Sequence, residues 1–307
     1  MAFSAKDVAH LREMTGVGMM DCKKALTESN GDFDKAVEFL REKGLAAATK
    51  KAGRIAAEGI VDAYVCDEYG AALLEVNSET DFVAKNESFR TFVADLNKII
   101  LTEKPTDVEA LLNLNYLDSG LTVASMLQEK ILTIGENIKI RRFERVEAGA
   151  GIVNVVYIHM GGKIGVLVTL KVSEGLESNA TVAELGKDIA MQIAAMNPQW
   201  LNKESVPADV IDKEKAILLA QTIEEGKPEK VAEKIVMGRI GKFFSENCLV
   251  EQAFVKENKI SVKQQIANIA KEVGGSIEVV KYFRYEKGEG LAKREDNFAD
   301  EVASMIK

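Results

Sequence analysis

Gly59-Ile60-Val61-Asp62-Ala63-Tyr64-Val65, followed by Gly70-Ala71-Ala72-Leu73-Leu74-Glu75-Val76, decides the architecture because the pattern occurs twice. Gly59-Ile60-Val61 returns as Gly151-Ile152-Val153, and Gly70 falls on Gly162, both at an offset of 92. The β-rich runs are Ile60–Val65 with Ala71–Val76, and Ile152–Ile158 with Ile164–Val172. Each pair predicts a β-hairpin. Further on, Leu121-Thr122-Val123 matches Ile260-Ser261-Val262 at an offset of 139, which also pairs Leu127 with Ile266, Gly135 with Gly274, Ile138 with Ile277 and Ile140 with Val279. Thr122 and Ser261 read as N-caps of helices that end at a glycine and feed a third strand.

The two offsets differ by 47 residues, which places an insertion in the second copy. Its surplus falls at Pro207 to about Leu249, where helical patterns Val210–Ile223 and Glu229–Phe244 flank Glu225-Gly226-Lys227-Pro228. Glycine followed by proline stops one helix and starts the next, so this is an antiparallel helical hairpin. Ile217, Ile223, Val231, Ile235 and Ile240 would form its seam. In the core, Phe89, Phe92, Val93, Leu96, Ile99 and Ile100 make the helical stripe that docks on the first sheet. Leu185, Ile189, Ile193 and Met196 do the same in the second. The fold class is α+β, with each antiparallel three-stranded sheet covered by helices on one face.

Ahead of this core lie three short helical patterns. Ser4 and Asp7 form a capping box before Val8, Leu11 and Met14. Thr15-Gly16-Val17-Gly18 breaks the helix, and Met19, Cys22, Ala25 and Leu26 form a second stripe. Asp32 caps a third, with Phe33, Ala36, Val37 and Leu40 inward, and Gly44 closes it. The expected organisation is a three-helix bundle at 1–44, a part-helical linker at 45–57, core copies at 58–147 and 148–286 with the insert at 207–249, and a C-terminal helical module at 287–307. In that module Leu291–Ile306 is amphipathic, with Phe298, Val302 and Met305 on one side.

Composition narrows the function. The 307 residues carry 40 basic and 48 acidic side chains, a net charge of −8, and 47% are apolar. That balance argues against nucleic acid as the main ligand. Residues 1–57 hold ten basic and eight acidic residues, and Lys50, Lys51 and Arg54 read as solvated linker charges. No uncharged stretch reaches the roughly 18 residues of a membrane helix. The start lacks a basic block followed by an apolar one, so a cytoplasmic chain is expected. Cys22, Cys66 and Cys248 are far apart and form no CxxC, and His10 and His159 are the only histidines. Neither a metal nor a cofactor is expected. Gly149-Ala150-Gly151 enters a strand and Gly16-Val17-Gly18 follows a helix, so neither has the strand-to-helix context of a dinucleotide loop; Gly288-Glu289-Gly290 has that context but no third glycine, and all three read as turns. An enzyme would need a convergent acid–base or metal cluster, and none is visible.

Asn77-Ser78-Glu79-Thr80-Asp81-Phe82-Val83-Ala84-Lys85-Asn86 joins the second strand to the first core helix. In the plain reading Asp81 is an N-cap and Phe82 folds back onto the core. In the functional reading the two are a protruding wedge and its charge. Periodicity favours neither. Met19 and Met20 are adjacent, so one helix stripe cannot bury both, and the outward one is either surface or an adaptable contact. His159 sits beside Met160-Gly161-Gly162 at a hairpin tip, where a solvated side chain is the plain reading.

Two stretches closely resemble the bacterial translation elongation factor Ts family. They are Leu11-Arg12-Glu13-Met14-Thr15-Gly16-Val17-Gly18-Met19-Met20-Asp21-Cys22-Lys23-Lys24-Ala25-Leu26 and Glu75-Val76-Asn77-Ser78-Glu79-Thr80-Asp81-Phe82-Val83-Ala84-Lys85. The resemblance extends to the strand at Glu251-Gln252-Ala253-Phe254 and to the segment Asp296 to Met305. It implies a UBA-like (ubiquitin-associated-like) bundle, a duplicated core, and a coiled-coil arm within the second copy. It further implies a non-enzymatic guanine-nucleotide exchange factor that binds elongation factor Tu in its GDP form. Thr80, Asp81, Phe82 and Val83 would be the exchange wedge, pressing between helices of the GTPase domain beside its magnesium site. Arg12, Met19 and Met20 would meet that same domain. His159, Gly161 and Gly162 would approach another domain, and Phe298, Val302 and Met305 would carry the C-terminal contact. No direct nucleic acid and no membrane are expected, and the arm leaves a homodimer of the complex open. The alternative is a general interaction protein whose small bundle recruits a different partner.

Overall fold

Ser4 opens the fold as its sequence predicts: its hydroxyl accepts from the Asp7 N–H while the Asp7 carboxylate accepts from the Ser4 N–H. The computed structural model describes residues 3–292. Helix α1 (Ala5–Thr15) ends at Gly16, whose φ of 67° is left-handed. Val8 and Leu11 are buried, but Met14 is exposed, because the inward stripe continues through Thr15 instead. Helix α2 (Met19–Glu28) buries Cys22, Ala25 and Leu26. Helix α3 (Phe33–Lys51), capped by Asp32, buries Ala36 and Leu40.

Strands β1 (Glu58–Cys66) and β2 (Gly70–Ser78) form the first hairpin, pairing Gly59 with Asn77. Gly59 has φ 109°, and a Cβ there would stand 2.1 Å from the Val76 carbonyl oxygen, so this recurring glycine is a steric requirement. Helix α4 (Glu87–Glu103), capped by Asn86, lays Phe89, Phe92, Val93, Leu96, Ile99 and Ile100 on Ile60, Ala72, Leu74 and Val76. Burial of each such large side chain contributes about 1.5–3 kcal/mol. The short α5 (Val108–Asn113) follows, then α6 (Val123–Ile134), capped by Thr122 and closed by Gly135 at φ 87°. Strand β3 (Lys139–Val146) completes the sheet in the order β1-β2-β3.

Gly44 does not end α3. It is buried inside the helix, and a Cβ there would lie 3.4 Å from the Gln128 carbonyl oxygen of α6. The glycine permits close helix approach, and the helix runs on to Lys51, whose ammonium donates to the Ile131 carbonyl at 3.2 Å.

The second copy repeats the order. Strands β4 (Ile152–His159) and β5 (Ile164–Val172) pair, and α7 (Ala180–Met196) docks Leu185, Ile189 and Ile193 on them. Met196, expected in that stripe, is exposed at the last residue of the helix. After α8 (Ala208–Glu224) and α9 (Glu229–Asn247) come β6 (Ala253–Phe254), β7 (Glu257–Ser261), α10 (Val262–Glu272) and β8 (Ile277–Glu286). The sheet order is β4-β5-β8. Ser261 caps α10 as Thr122 caps α6. In both sheets the third strand carries a bulge, leaving Arg141 of β3 and Val280 of β8 unpaired. Those positions are 139 apart, the offset of the second repeat register.

Helices cover one face of each sheet, and the other faces meet each other: Val61, Ala71, Leu73 and Val146 of the first pack against Leu167 and Tyr285 of the second. Every residue of β2 is buried as a result. In the arm, α8 and α9 join at Glu225-Gly226-Lys227-Pro228, and of the expected seam Ile240 is buried, but the other buried positions are Thr222, Ala232 and Val236. Ile217, Ile223 and Val231 are exposed. Arg239 helps set this register by donating to Thr222 Oγ1 and to both Glu225 carboxylate oxygens. The expected helix at Leu291–Ile306, with Phe298, Val302 and Met305, lies outside the described residues, except for Leu291 and Ala292 in irregular backbone.

Candidate partner-binding surface

The connection from β2 to α4 is held at both ends and bare in the middle. Thr80 donates its hydroxyl to Glu136 Oε1 at 2.6 Å and its N–H to Oε2 at 2.9 Å. Ser78 Oγ donates to the Thr80 carbonyl. Val83 opens a 3-10 turn, Val83–Lys85, and is buried in the first core cluster. Asn86 then caps α4. Between these anchors, Phe82 is 77% exposed. The fold-back reading of Phe82 is therefore overturned, and Asp81 caps no helix; its carboxylate pairs with Lys85 at 3.3 Å. The Lys85 ammonium stands 5.8 Å from the Phe82 ring centroid. Of the four wedge residues named from the resemblance, Asp81 and Phe82 face solvent, while Thr80 and Val83 are the fastenings.

Glu79 extends the fastening. It accepts from the Asn137 N–H at 2.6 Å and pairs with Arg54 at 3.3 Å. Asn137 in turn donates to the Arg54 carbonyl. Arg54, read from sequence as a solvated linker charge, is thus part of the loop's support.

Beside Phe82 runs a groove lined by Thr15 and Gly16 of the α1–α2 turn, by Asn86 and Ser88, and by Glu129, Lys130 and Glu136. Lys130 donates to Ser88 Oγ at 2.8 Å. Burial raises the Glu129 carboxyl and lowers the Lys130 ammonium from their ordinary values. The groove brings the first signature stretch alongside the second. Arg12 is exposed, as are Met19 at 43% and Met20 at 73%. Met19 was expected to face inward; Val17, Cys22 and Leu26 fill that space instead.

His159 ends β4, and its Nδ1 lies 2.9 Å from the Tyr157 hydroxyl. Gly161 is exposed, and the adjacent Met160 is 70% exposed. Gly162 differs: it is buried, its carbonyl accepts from the Val61 N–H at 2.8 Å, and a Cβ would lie 3.0 Å from Ile60 Cβ. Its place is internal, joining the tip to β1. Glu136, Lys85 and Met160 also stand at these surfaces, beyond the residues that the sequence singles out. For Lys85 the signal was present, four residues after Asp81. Glu136 meets Thr80 only through the tertiary fold.

Among the described residues no group of three or more His, Cys, Asp and Glu side chains could hold a metal, and no helix is long and apolar enough to cross a membrane. A family model described as Elongation factor TS matches residues 79–289. Elongation factor Ts of Syntrophotalea carbinolica is 49% identical over 307 residues, covering 100% of both chains. That of Clostridium novyi is 51% identical over 306 residues, covering 99% of this chain and 98% of the relative. With a family model spanning more than half the chain and end-to-end relatives at this identity, the chain belongs to the elongation factor Ts family.

Proposed function

We propose that the chain is a guanine-nucleotide exchange factor for elongation factor Tu, acting in the cytoplasm and catalysing no chemical reaction of its own. The observation that carries the reading is a large aromatic, Phe82, held 77% exposed between the anchored residues Thr80 and Val83. Exposed single apolar side chains are common, but one on a loop fastened at both ends is already ordered before it binds. Phe82 enters between helices of the GTPase domain, and Asp81 brings negative charge beside the magnesium site. Magnesium neutralises phosphate charge, so moving the elements that hold it weakens GDP binding without bond chemistry.

The energies are of the right size. Couplings between two ligand sites are typically 1–3 kcal/mol, and burying one phenylalanine is worth about 1.5–3 kcal/mol. Arg12, Met19 and Met20 on the bundle, His159 and Gly161 at the hairpin tip, and Phe298, Val302 and Met305 near the C-terminus supply affinity that is spread over the partner. Gly162 contributes by shaping the tip.

Linkage gives the test. If this chain weakens GDP on the GTPase, GDP must weaken this chain by the same factor. Purified elongation factor Tu, stripped of nucleotide, is captured on the immobilised chain and washed with increasing GDP. Release by GDP is expected; retention unaffected by GDP at any concentration would contradict the proposal.

A further inference from the structure

We infer that Glu75 is a positioning residue, fixing the turn at Lys287-Gly288, and through it the hairpin tip at Lys163, to the strand that feeds Thr80-Asp81-Phe82; this rests on the exchange reading above. Glu75 lies on β2 with no solvent exposure, within the face where the two sheets meet. Its Oε1 accepts from Arg141 Nη1 at 2.9 Å, from Asn77 Nδ2 at 3.1 Å and from the Gly288 N–H at 2.8 Å. Its Oε2 accepts from Arg142 Nε at 2.7 Å. A carboxylate is retained in such a place only when its charge and lone pairs are matched, as they are here. Arg142 also covers the Tyr285 ring at 4.0 Å and reaches Glu289 at 3.4 Å.

The far side of the joint is equally tight. Gly288 has φ 69°, and a Cβ there would stand 2.1 Å from the Ala57 carbonyl oxygen, so the turn is wedged against the lead into β1. The Lys287 N–H donates to the Lys163 carbonyl at 2.9 Å, and its ammonium pairs with Glu58. Asn77 Nδ2, besides touching Glu75, donates to the Glu58 carbonyl. The supports of two candidate contact regions therefore meet at one turn: β2, which leads to Phe82, is bonded to Gly288, and the tip at His159–Lys163 is bonded to Lys287 through the Lys163 carbonyl.

Separate contacts on one partner reinforce each other only if the connection between them holds a geometry in which all engage at once. Glu75 supplies that stiffness. Loosening it leaves Asp81 and Phe82 intact, so the action on the nucleotide site persists while the joint hold on the partner weakens.

The test is release of fluorescent GDP from elongation factor Tu as a function of the full-length chain, native against E75Q and G288A. E75Q turns one acceptor into a donor facing arginine, and G288A dislodges the turn from the opposite side. Far-UV circular dichroism and a thermal scan establish that each variant is folded at the assay temperature, and if E75Q is not, G288A decides. A half-saturating concentration raised about tenfold with the native saturating rate supports the joint. A native half-saturating concentration, or a lower saturating rate at native half-saturation, overturns it. If the native chain itself fails to speed release, the exchange reading falls and this inference falls with it.

Discussion

Thr80 and Glu136, 56 residues apart in the chain, are joined by two hydrogen bonds through which one carboxylate holds both the hydroxyl and the N–H of the threonine. The bond pair closes the base of the loop that presents Phe82. Hydrogen bonds to a charged group contribute about 1.5–3 kcal/mol each when both partners are protected from water, and less where solvent competes.

Glu136→Ala is expected to lower stability by about 1–2 kcal/mol in urea unfolding, and Thr80→Val by a similar amount. Both should also reduce the acceleration of GDP release, because the aromatic is no longer held out. A variant with native stability and native exchange would contradict the tether.

Phe82 and Val83 are neighbours with opposite fates. Phe82→Ala should change stability by no more than about 0.5 kcal/mol, since an exposed side chain loses little packing. Val83→Ala should cost about 1–3 kcal/mol through the cavity left against α4 and β1. Chemical denaturation of the pair separates the exposed wedge from its buried anchor; equal losses would contradict the assignment.

Gly162→Ala should be clearly less stable than Gly161→Ala. Both glycines have positive φ, but only Gly162 faces a side chain, Ile60, at 3.0 Å and the Val61 carbonyl at 3.1 Å. Thermal scans of the two variants compare strain plus collision with strain alone. If Gly161→Ala proves the more damaging, the tip is not seated on β1 as described.

Asp62 gives a pH-dependent prediction. Burial pushes its carboxyl above the ordinary aspartate value, against the opposing effects of the Ala63 N–H, the Asn97 amide and Arg90. The folded chain therefore holds this proton more tightly than the unfolded chain, and the contribution of Asp62 to stability falls as pH rises through the raised value. Asn97 Oδ1, buried beside it, has no hydrogen-bond partner. The D62N variant cannot ionise and can donate to that oxygen. It should exceed the native chain in stability at neutral pH, with the gap shrinking toward about pH 3, where the native carboxyl is protonated. Denaturant midpoints across that range check it; a gap that widens on acidification would contradict it.

What the sequence made legible was local or repeated. The Ser4, Asp32, Thr122 and Ser261 caps and the two hairpins depend on neighbours within a few residues, and the structure has them. The continuous apolar run Ala71-Ala72-Leu73-Leu74 carries the sign of a strand buried on both faces, but that its second face meets another sheet is decided by the tertiary fold. Gly44 misled because glycine serves helix ends and close helix contacts alike, and only α6 distinguishes them. The arm's seam keeps Ile240 but otherwise shifts, because α8 and α9 also meet through Thr222, Ala232 and Val236, while Ile217 and Ile223 stay outside. Phe82 could not be placed by periodicity, since what exposes it is Thr80 fastened to Glu136 and Val83 sunk in the core. Glu75 stands within a recognisable signature, yet its partners Arg141, Arg142 and Gly288 lie on strands and a turn that only the fold assembles.

If Asp81 and Phe82 drive nucleotide exchange from an intact fold, removing both side chains must slow exchange without unfolding the chain. Stopped-flow release of fluorescent GDP from elongation factor Tu, with the native chain and the D81A/F82A double variant over a range of concentrations, measures this. The variant is expected to fold as the native chain does, by circular dichroism, and its saturating release rate to fall by at least about tenfold, the effect of losing roughly 1.4 kcal/mol of coupling. A folded double variant that accelerates release as fast as the native chain would contradict it.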